Sequence, residues 1–139
     1  MEQKEKDYYT EKANKAVYTA IFMYAWLKDK GEKDVDSQLI YSVWYNYPIG
    51  SKRHPEGKEI KCGEVRFDVE KSEFVEYCYD TGTDKVLITK EKTLDKVLDT
   101  LFFIIDGIRE RDYDESDIIV RFRGGDTEIP VRNRNKEVE

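Results

Sequence analysis

The sequence predicts an α+β fold in a single domain that spans residues 1–139. Three observations predict it: helical periodicity of apolar residues in two segments, alternation of apolar and polar residues in a central segment, and a Gly-rich turn between two short apolar runs. A chain of this length buries a core without disulfides or metals. We expect a long N-terminal helix and a second helix to pack on one face of an antiparallel sheet.

The first helix is predicted over residues 7–30, which contain neither Gly nor Pro, and Gly31 follows as a C-terminal cap. Its segment AVYTAIFMYAWL is too short to span a membrane, which takes about 20 apolar residues. Residues 1–6 are expected to be disordered. At 3.6 residues per turn, the expected core stripe consists of Ala13, Val17, Ala20, Ile21 and Tyr24.

The next segment, SQLIYSVWYNYP at residues 37–48, fits two structures. A helix would bury Leu39, Ile40, Val43, Trp44 and Tyr47, whereas a strand would bury Leu39, Tyr41, Val43, Tyr45 and Tyr47. The β-branched and aromatic content favours the strand. Pro48 is expected to end the element, and residues 49–58 are expected to form a loop because they contain Gly, Pro and Ser.

A three-stranded antiparallel meander is predicted at about residues 64–90, from the runs GEVRFDV, EFVEYCYD and DKVLITK. One face is expected to be apolar, with Val65, Phe67, Val69, Val75, Tyr77, Tyr79, Val86 and Ile88. The other face is expected to be polar and wet, with Glu64, Arg66, Asp68, Glu76 and Lys85.

The second helix is predicted from a cap at Thr93 to about Arg111. A C-terminal hairpin is predicted at about residues 117–133, with Val120 and Phe122 opposite Val131 and Ile129. Pro130 lacks an amide hydrogen, which predicts an edge position for the last strand. Residues 135–139 are expected to be disordered.

The composition is strongly charged and acidic, with 39% charged residues and a net charge of −6. The charged N-terminus lacks the apolar region of a secretory signal, so we expect a cytoplasmic protein. Abundant Lys and Glu hint at a thermophilic or AT-rich source. Cys62 and Cys78 form no disulfide framework and are expected to be reduced and partly buried.

No residue is assigned a catalytic, metal-binding or cofactor-binding role, and no cofactor is expected. His54 is the single histidine, lies in a loop, and is expected to be exposed. Carboxylates are the remaining candidates for metal chemistry, and those near the predicted polar face are Glu64, Asp68, Glu76 and Asp80. The triplet Glu59-Ile60-Lys61 has the E-x-K pattern of some metal-dependent nucleases. Such a triplet is expected by chance in a chain with this many charged residues.

Two groups of residues are candidates for binding a partner. Tyr18, Phe22 and Trp26 recur every four residues on a second face of the first helix, which either residues 37–47 or another chain must cover. Arginine clusters near the C-terminus, and the candidates for contact with phosphate or carboxylate groups are Arg121, Arg123 and Arg132.

These features favour a small, acidic, non-enzymatic binding protein, an inhibitor or regulator that docks on a macromolecular partner. The expected partner is a protein such as a nuclease or a nucleic-acid-handling complex, which viral anti-defence proteins and immunity proteins bind in the same way. A second copy of the chain, in a homodimer, is the other expected partner. The alternative is a nucleic-acid-binding protein that uses the arginine-rich hairpin. A third hypothesis is a divalent-metal-dependent hydrolase built on the strand carboxylates.

Overall fold

Two helices and six strands form the fold in the computed structural model, which describes residues 1–80, 84–111, 116–124 and 128–131. The helices are α1 (Gln3–Asp29) and α2 (Leu94–Arg111), and the strands are β1 (Gln38–Ile49), β2 (Glu56–Asp68), β3 (Glu73–Asp80), β4 (Asp84–Glu91), β5 (Asp117–Phe122) and β6 (Glu128–Pro130). The strands form one antiparallel sheet in the order β4-β3-β2-β1-β5-β6. The predicted α+β class is confirmed.

Helix α1 ends as predicted, but it begins earlier. Gly31 has a φ of +90° and donates its amide hydrogen to the Lys28 carbonyl at 3.0 Å, which caps the helix. The predicted disorder of residues 1–6 is wrong, because the helix starts at Gln3. Glu5 forms an ion pair with Arg109 of α2 at 2.6 Å, and Tyr9 is fully buried, so the first turns are held against the rest of the fold.

The buried side of α1 is built mainly from alanines. It consists of Tyr9, Ala13, Ala16 and Ala20. The predicted stripe is wrong at Ile21, which is 40% exposed, while Val17 and Tyr24 are half-buried. Alanine has no side chain beyond Cβ, so a row of alanines lets the helix lie close to β1, the strand that it contacts most.

The ambiguous segment is a strand, β1, as the β-branched and aromatic content favoured. It lies in the middle of the sheet, between β2 and β5. The expectation that Pro48 ends the element is wrong by one residue, because β1 continues to Ile49. β5 pairs with β1 only from Tyr41 to Asn46, so one side of β1 is unpaired at Pro48 and no ladder hydrogen bond from its nitrogen is needed.

Strand β2 begins at Glu56, so part of the predicted loop at residues 49–58 is a strand. The predicted apolar face is also wrong, because it places Val75, Tyr77 and Tyr79 on the same side as Val65 and Phe67. Phe67 pairs with Phe74 and Val65 with Glu76, because the turn at residues 69–72, with Ser72 at a φ of +51°, sets Asp68 opposite Glu73. A shift by an odd number of residues exchanges the two faces. Glu76 therefore lies on the core face, while Val75, Tyr77 and Tyr79 share a face with Glu64 and Arg66.

The C-terminal elements follow the predictions more closely. α2 begins at Leu94, after Thr93 accepts a hydrogen bond from the Lys96 amide at 3.4 Å. In the hairpin, Val120 pairs with Ile129, a two-residue shift from the predicted pairing that keeps both side chains on the predicted face. Pro130 lies in β6 at the sheet edge, as expected.

The core lies on one face of the sheet and receives side chains from both helices. Its largest fully buried members are Tyr9, Tyr41, Ile40, Leu98, Ile105 and Ile118. The opposite face, which we call the open sheet face, carries no helix within the described parts of the chain. Side chains that point to it include Trp44, Lys61, Glu64, Arg66, Tyr79 and Arg121.

Candidate functional site

Three aromatic side chains lie exposed on the outer face of α1, and we call Tyr18, Phe22 and Trp26 the aromatic row. Their exposed fractions are 74%, 70% and 45%. The row is on the side of the helix opposite the buried alanines, because β1 packs against the alanine side. The first of the two alternatives, in which residues 37–47 cover the row, is therefore wrong. No other described segment covers it.

The aromatic row is bordered by charged side chains of α1 and of its C-terminal cap. Lys30 places its Nζ 4.2 Å from the centroid of the Trp26 ring, a cation–π contact that shields one side of that ring. Lys15 and Glu11, one and two turns before Tyr18, form an exposed ion pair at 3.3 Å. An apolar centre with a charged border is typical of a protein-binding surface.

The open sheet face holds a buried carboxylate at its centre. Glu64 is only 3% exposed although neither described helix covers it, because the long side chains around it shield it from water. Tyr79 donates its hydroxyl hydrogen to Oε1 of Glu64, and Lys61 and Arg66 each donate to Oε2 at 3.3 Å. Glu64 therefore shares its single negative charge between the cations of two neighbouring positions.

These contacts set the protonation of the cluster. Burial by itself raises the pKa of Glu64, but the Tyr79 hydroxyl and the charges of Lys61 and Arg66 outweigh it and hold that pKa below its usual 4.5. Burial and the same hydrogen bond raise the pKa of Tyr79 to about 12. At neutral pH the carboxyl is ionised and the phenol is protonated. Neither group has a pKa close to neutrality, where a general acid or base is most effective.

Arg121, one of the predicted contact residues, lies on the open sheet face beside Trp44. Its guanidinium carbon is 5.0 Å from the centroid of the Trp44 ring, and its nitrogens donate to both oxygens of Glu59, at 2.5 and 3.2 Å. The hydrogen bond from Arg121 lowers the pKa of Glu59. Arg121 is therefore stacked and paired with a carboxylate within its own chain.

Of the other two predicted arginines, the structure describes Arg123 but not Arg132. Arg123 follows β5 and is half-buried, and both burial and the charge of Arg66 lower its pKa. Arg132 lies outside the described residues. The aromatic row and Arg121 are not brought together: the row faces outward from the helix layer, and Arg121 lies on the face of the sheet that has no helix.

The carboxylates considered for metal chemistry are not brought together. Glu76 lies on the core face and Glu64 on the open sheet face, while the side chain of Asp80, like that of Lys85, is outside the described part of the chain. Glu59 and Lys61 pair with Arg121 and Glu64, respectively. Among the residues that the structure describes, no three His, Cys, Asp or Glu side chains are placed to hold a metal ion.

The histidine and the cysteines have structural surroundings. His54 is half-buried rather than exposed, because its ring lies 4.8 Å from that of Tyr47 in an edge contact. Cys62 and Cys78 are free and half-buried, as expected. Burial raises the pKa of the Cys62 thiol to about 12, which makes it a poor nucleophile at neutral pH.

The cluster around Glu64 is not predicted from the sequence. The wrong assignment of the apolar face placed Tyr79 on the core face, and the interpretation of residues 49–58 as a loop hid the start of β2. One signal was present: Lys61, Glu64 and Arg66 alternate sign within one segment, which indicates ion pairing along a strand.

Comparison with known proteins adds no family or relative. No protein-family model, no curated protein and no solved structure matches the chain. None of the described helices is long and apolar enough to cross a membrane. Functional inference therefore depends on the surfaces of this chain.

Proposed function

We propose that this chain is a binding protein that acts by docking a protein on the aromatic row, and that it performs no catalysis. The observation that carries the proposal is the exposure of Tyr18 and Phe22, at 74% and 70%, on the outer face of a helix whose inner face already supplies the core. Aromatic residues are enriched at the centres of protein interfaces because they bury a large area with little loss of conformational entropy.

The more specific form of this proposal is an inhibitor or regulator of a basic macromolecular partner, such as a nuclease or a nucleic-acid-handling complex. The net charge of −6 supports it. The side of α2 that faces away from the sheet supports it as well, because three acids, Asp95, Asp99 and Glu110, are exposed there beside one exposed lysine, Lys96. Phe103, which is 81% exposed, lies among them. This acidic surface is separate from the aromatic row.

Capture of proteins from an extract of the source cells tests the docking surface. We expect the double variant Tyr18→Ser/Phe22→Ser to lose proteins that the native chain retains, because it removes the centre of the surface. Ile49→Ser is the matched control, since Ile49 is 85% exposed at the end of β1 and lies outside the row. Quantitative mass spectrometry measures the retained proteins, including untagged copies of the chain itself.

The double variant should fold normally, because exposed substitutions change the free energy of unfolding by only about 0.5 kcal/mol. Circular dichroism and urea denaturation check this. Equal capture by the native chain and the double variant would show that the aromatic row is not a docking surface.

Nucleic-acid binding is a second candidate function, supported by the stacking of Arg121 on Trp44 and by Lys61, whose Nζ lies 5.0 Å from the centroid of the Tyr79 ring. Cations beside aromatic rings are the components of single-strand binding surfaces. Internal pairing opposes it, because Glu59 and Glu64 neutralise these cations.

Fluorescence anisotropy with a labelled oligonucleotide separates the two functions. We expect no salt-sensitive binding of the oligonucleotide, because the basic side chains of the open sheet face are already paired with carboxylates. Binding that falls by about tenfold in Arg121→Glu, and not in the exposed control Lys96→Glu, would favour the nucleic-acid function instead.

A further inference from the structure

The outer face of α1 is symmetric about Phe22. Tyr18 stands four residues before Phe22 and Trp26 four residues after it, while Lys15 and Asp29 stand seven residues before and after it. Offsets of four and seven residues lie on the same face of a helix. The face therefore has an aromatic centre, with Lys15 at one end, where Glu11 pairs with it, and Asp29 at the other end, near the Lys30 that contacts Trp26.

We propose that this face binds the same face of a second copy, with the two α1 helices antiparallel around a two-fold axis at Phe22. The inference rests on the proposed function, because it names the protein that docks on the aromatic row. A two-fold axis exchanges residues that are equidistant from it. Tyr18 then lies opposite Trp26 of the second copy, and Lys15 lies opposite Asp29 of the second copy, in two equivalent pairs.

The spacing along the helix suits these contacts. With a rise of about 1.5 Å per residue, the aromatic pairs lie about 6 Å from the axis and the charged pairs about 10 Å from it. Phe22 meets its own counterpart at the centre. The charged pairs therefore lie at the rim, where they set the register and orientation of the two helices.

The charges of this face also suit a second copy. Around the row, two lysines and two acids balance each other: they are Glu11, Lys12, Lys15 and Asp29. The face therefore has no excess charge of one sign. An antiparallel copy brings each Lys15, which pairs with Glu11 of its own helix, to Asp29 of the other copy as well.

The exposed area indicates a reversible dimer. The exposed fractions of the aromatic row correspond to roughly 300–450 Å² per chain, taking about 150–250 Å² for each aromatic side chain. A stable interface buries about 800 Å² per partner. Flanking residues such as Ile21, which is 40% exposed, enlarge the contact. The dimer should therefore depend on protein concentration.

Sedimentation of the full chain across about 10 μM to 1 mM tests the proposal. We expect a concentration-dependent dimer for the native protein. Phe22→Asp places two carboxylates together at the axis and should leave only monomer, whereas Ile49→Asp, outside the face, should leave the dimer unchanged. A native monomer over the whole range, or a dimer that persists in Phe22→Asp, would overturn the proposal.

Charge reversal tests the antiparallel geometry. Lys15→Asp or Asp29→Lys alone should weaken the dimer by about three- to tenfold, because each places like charges opposite each other. The double variant Lys15→Asp/Asp29→Lys should restore native affinity. Failure of the double variant to restore it would contradict the antiparallel pairing, and circular dichroism confirms that each variant keeps its helix.

The outcomes distinguish this inference from the proposed function. If the native chain is monomeric while Tyr18→Ser/Phe22→Ser still loses a captured protein of another kind, only the second-copy inference fails. If the double variant loses neither self-association nor any captured protein, the proposed function fails as well.

Discussion

Replacing Tyr9 by alanine is expected to lower the free energy of unfolding by about 3–5 kcal/mol. Tyr9 is fully buried in α1, and its ring contacts those of Phe102 in α2 and Phe122 in β5, with centroids 6.0 and 6.1 Å apart. One side chain thus joins both helices to the sheet. The loss is a large part of the 5–15 kcal/mol that holds a typical domain folded. Urea denaturation of the native and variant chains measures it.

Tyr9→Phe is the matched control for this experiment. The Tyr9 hydroxyl is buried and has no hydrogen-bond partner among the described residues, so its removal relieves a desolvation cost of about 1–3 kcal/mol. We expect Tyr9→Phe to be as stable as the native chain or more stable. If phenylalanine destabilises the protein as much as alanine does, the ring contacts are not the source of the effect.

The second large effect is expected at Glu64, where Glu64→Gln should lower the free energy of unfolding at pH 7 by about 2 kcal/mol. The value is below the roughly 3–5 kcal/mol lost when a fully buried pair is broken, because Lys61 and Arg66 each keep 25% of their side-chain surface in water. Glutamine preserves the shape and an acceptor for Tyr79, so the change isolates the charge. Urea denaturation across a pH series measures the difference.

The pH dependence has a defined sign. Because the fold lowers the pKa of Glu64, its ionised form stabilises the protein fully above the usual value of 4.5, and this contribution disappears as the pH falls through the folded-state pKa. The native chain and Glu64→Gln should therefore converge in stability at low pH. A difference that is constant from neutral to acid pH would mean that the ion pairs are not responsible.

Glu76→Gln provides a control of opposite sign. Glu76 lies on the core face, and burial together with the charge of Glu91 raises its pKa. Its ionised form therefore destabilises the fold above that raised pKa, and the cost disappears as the pH falls toward 4.5. We expect Glu76→Gln to be more stable than the native chain at pH 7 and to lose this advantage in acid.

The sequence predicts the end of α1 and the start of α2 better than the strand pairing, for a physical reason. Gly31 and Thr93 act through contacts within a few residues, so their capping roles are visible in the sequence. The register of β2 against β3 depends on the conformation of a four-residue turn. Register shifts also interrupt the pairing of β1 with β2 and of β3 with β4, and local patterns do not predict them. An error of one residue there reverses the assignment of both faces.

The candidate binding surfaces also differ in how far the sequence predicts them. The aromatic row depends only on helical spacing, which places Tyr18, Phe22 and Trp26 on one side wherever the helix packs. The cluster around Glu64 depends on three strands being aligned correctly, so its members cannot be grouped without the pairing. Local sequence patterns likewise do not predict that β1 lies in the middle of the sheet.

The alanine side of α1 has a consequence for how this protein can diversify. Because Ala13, Ala16 and Ala20, together with the half-buried Val17, hold the middle of the helix against the sheet, selection for folding acts on one side of it and leaves the other side largely unconstrained. Mutations on the outer side change recognition at little thermodynamic cost. Descendants of this chain could exchange one binding specificity for another while the same scaffold persists.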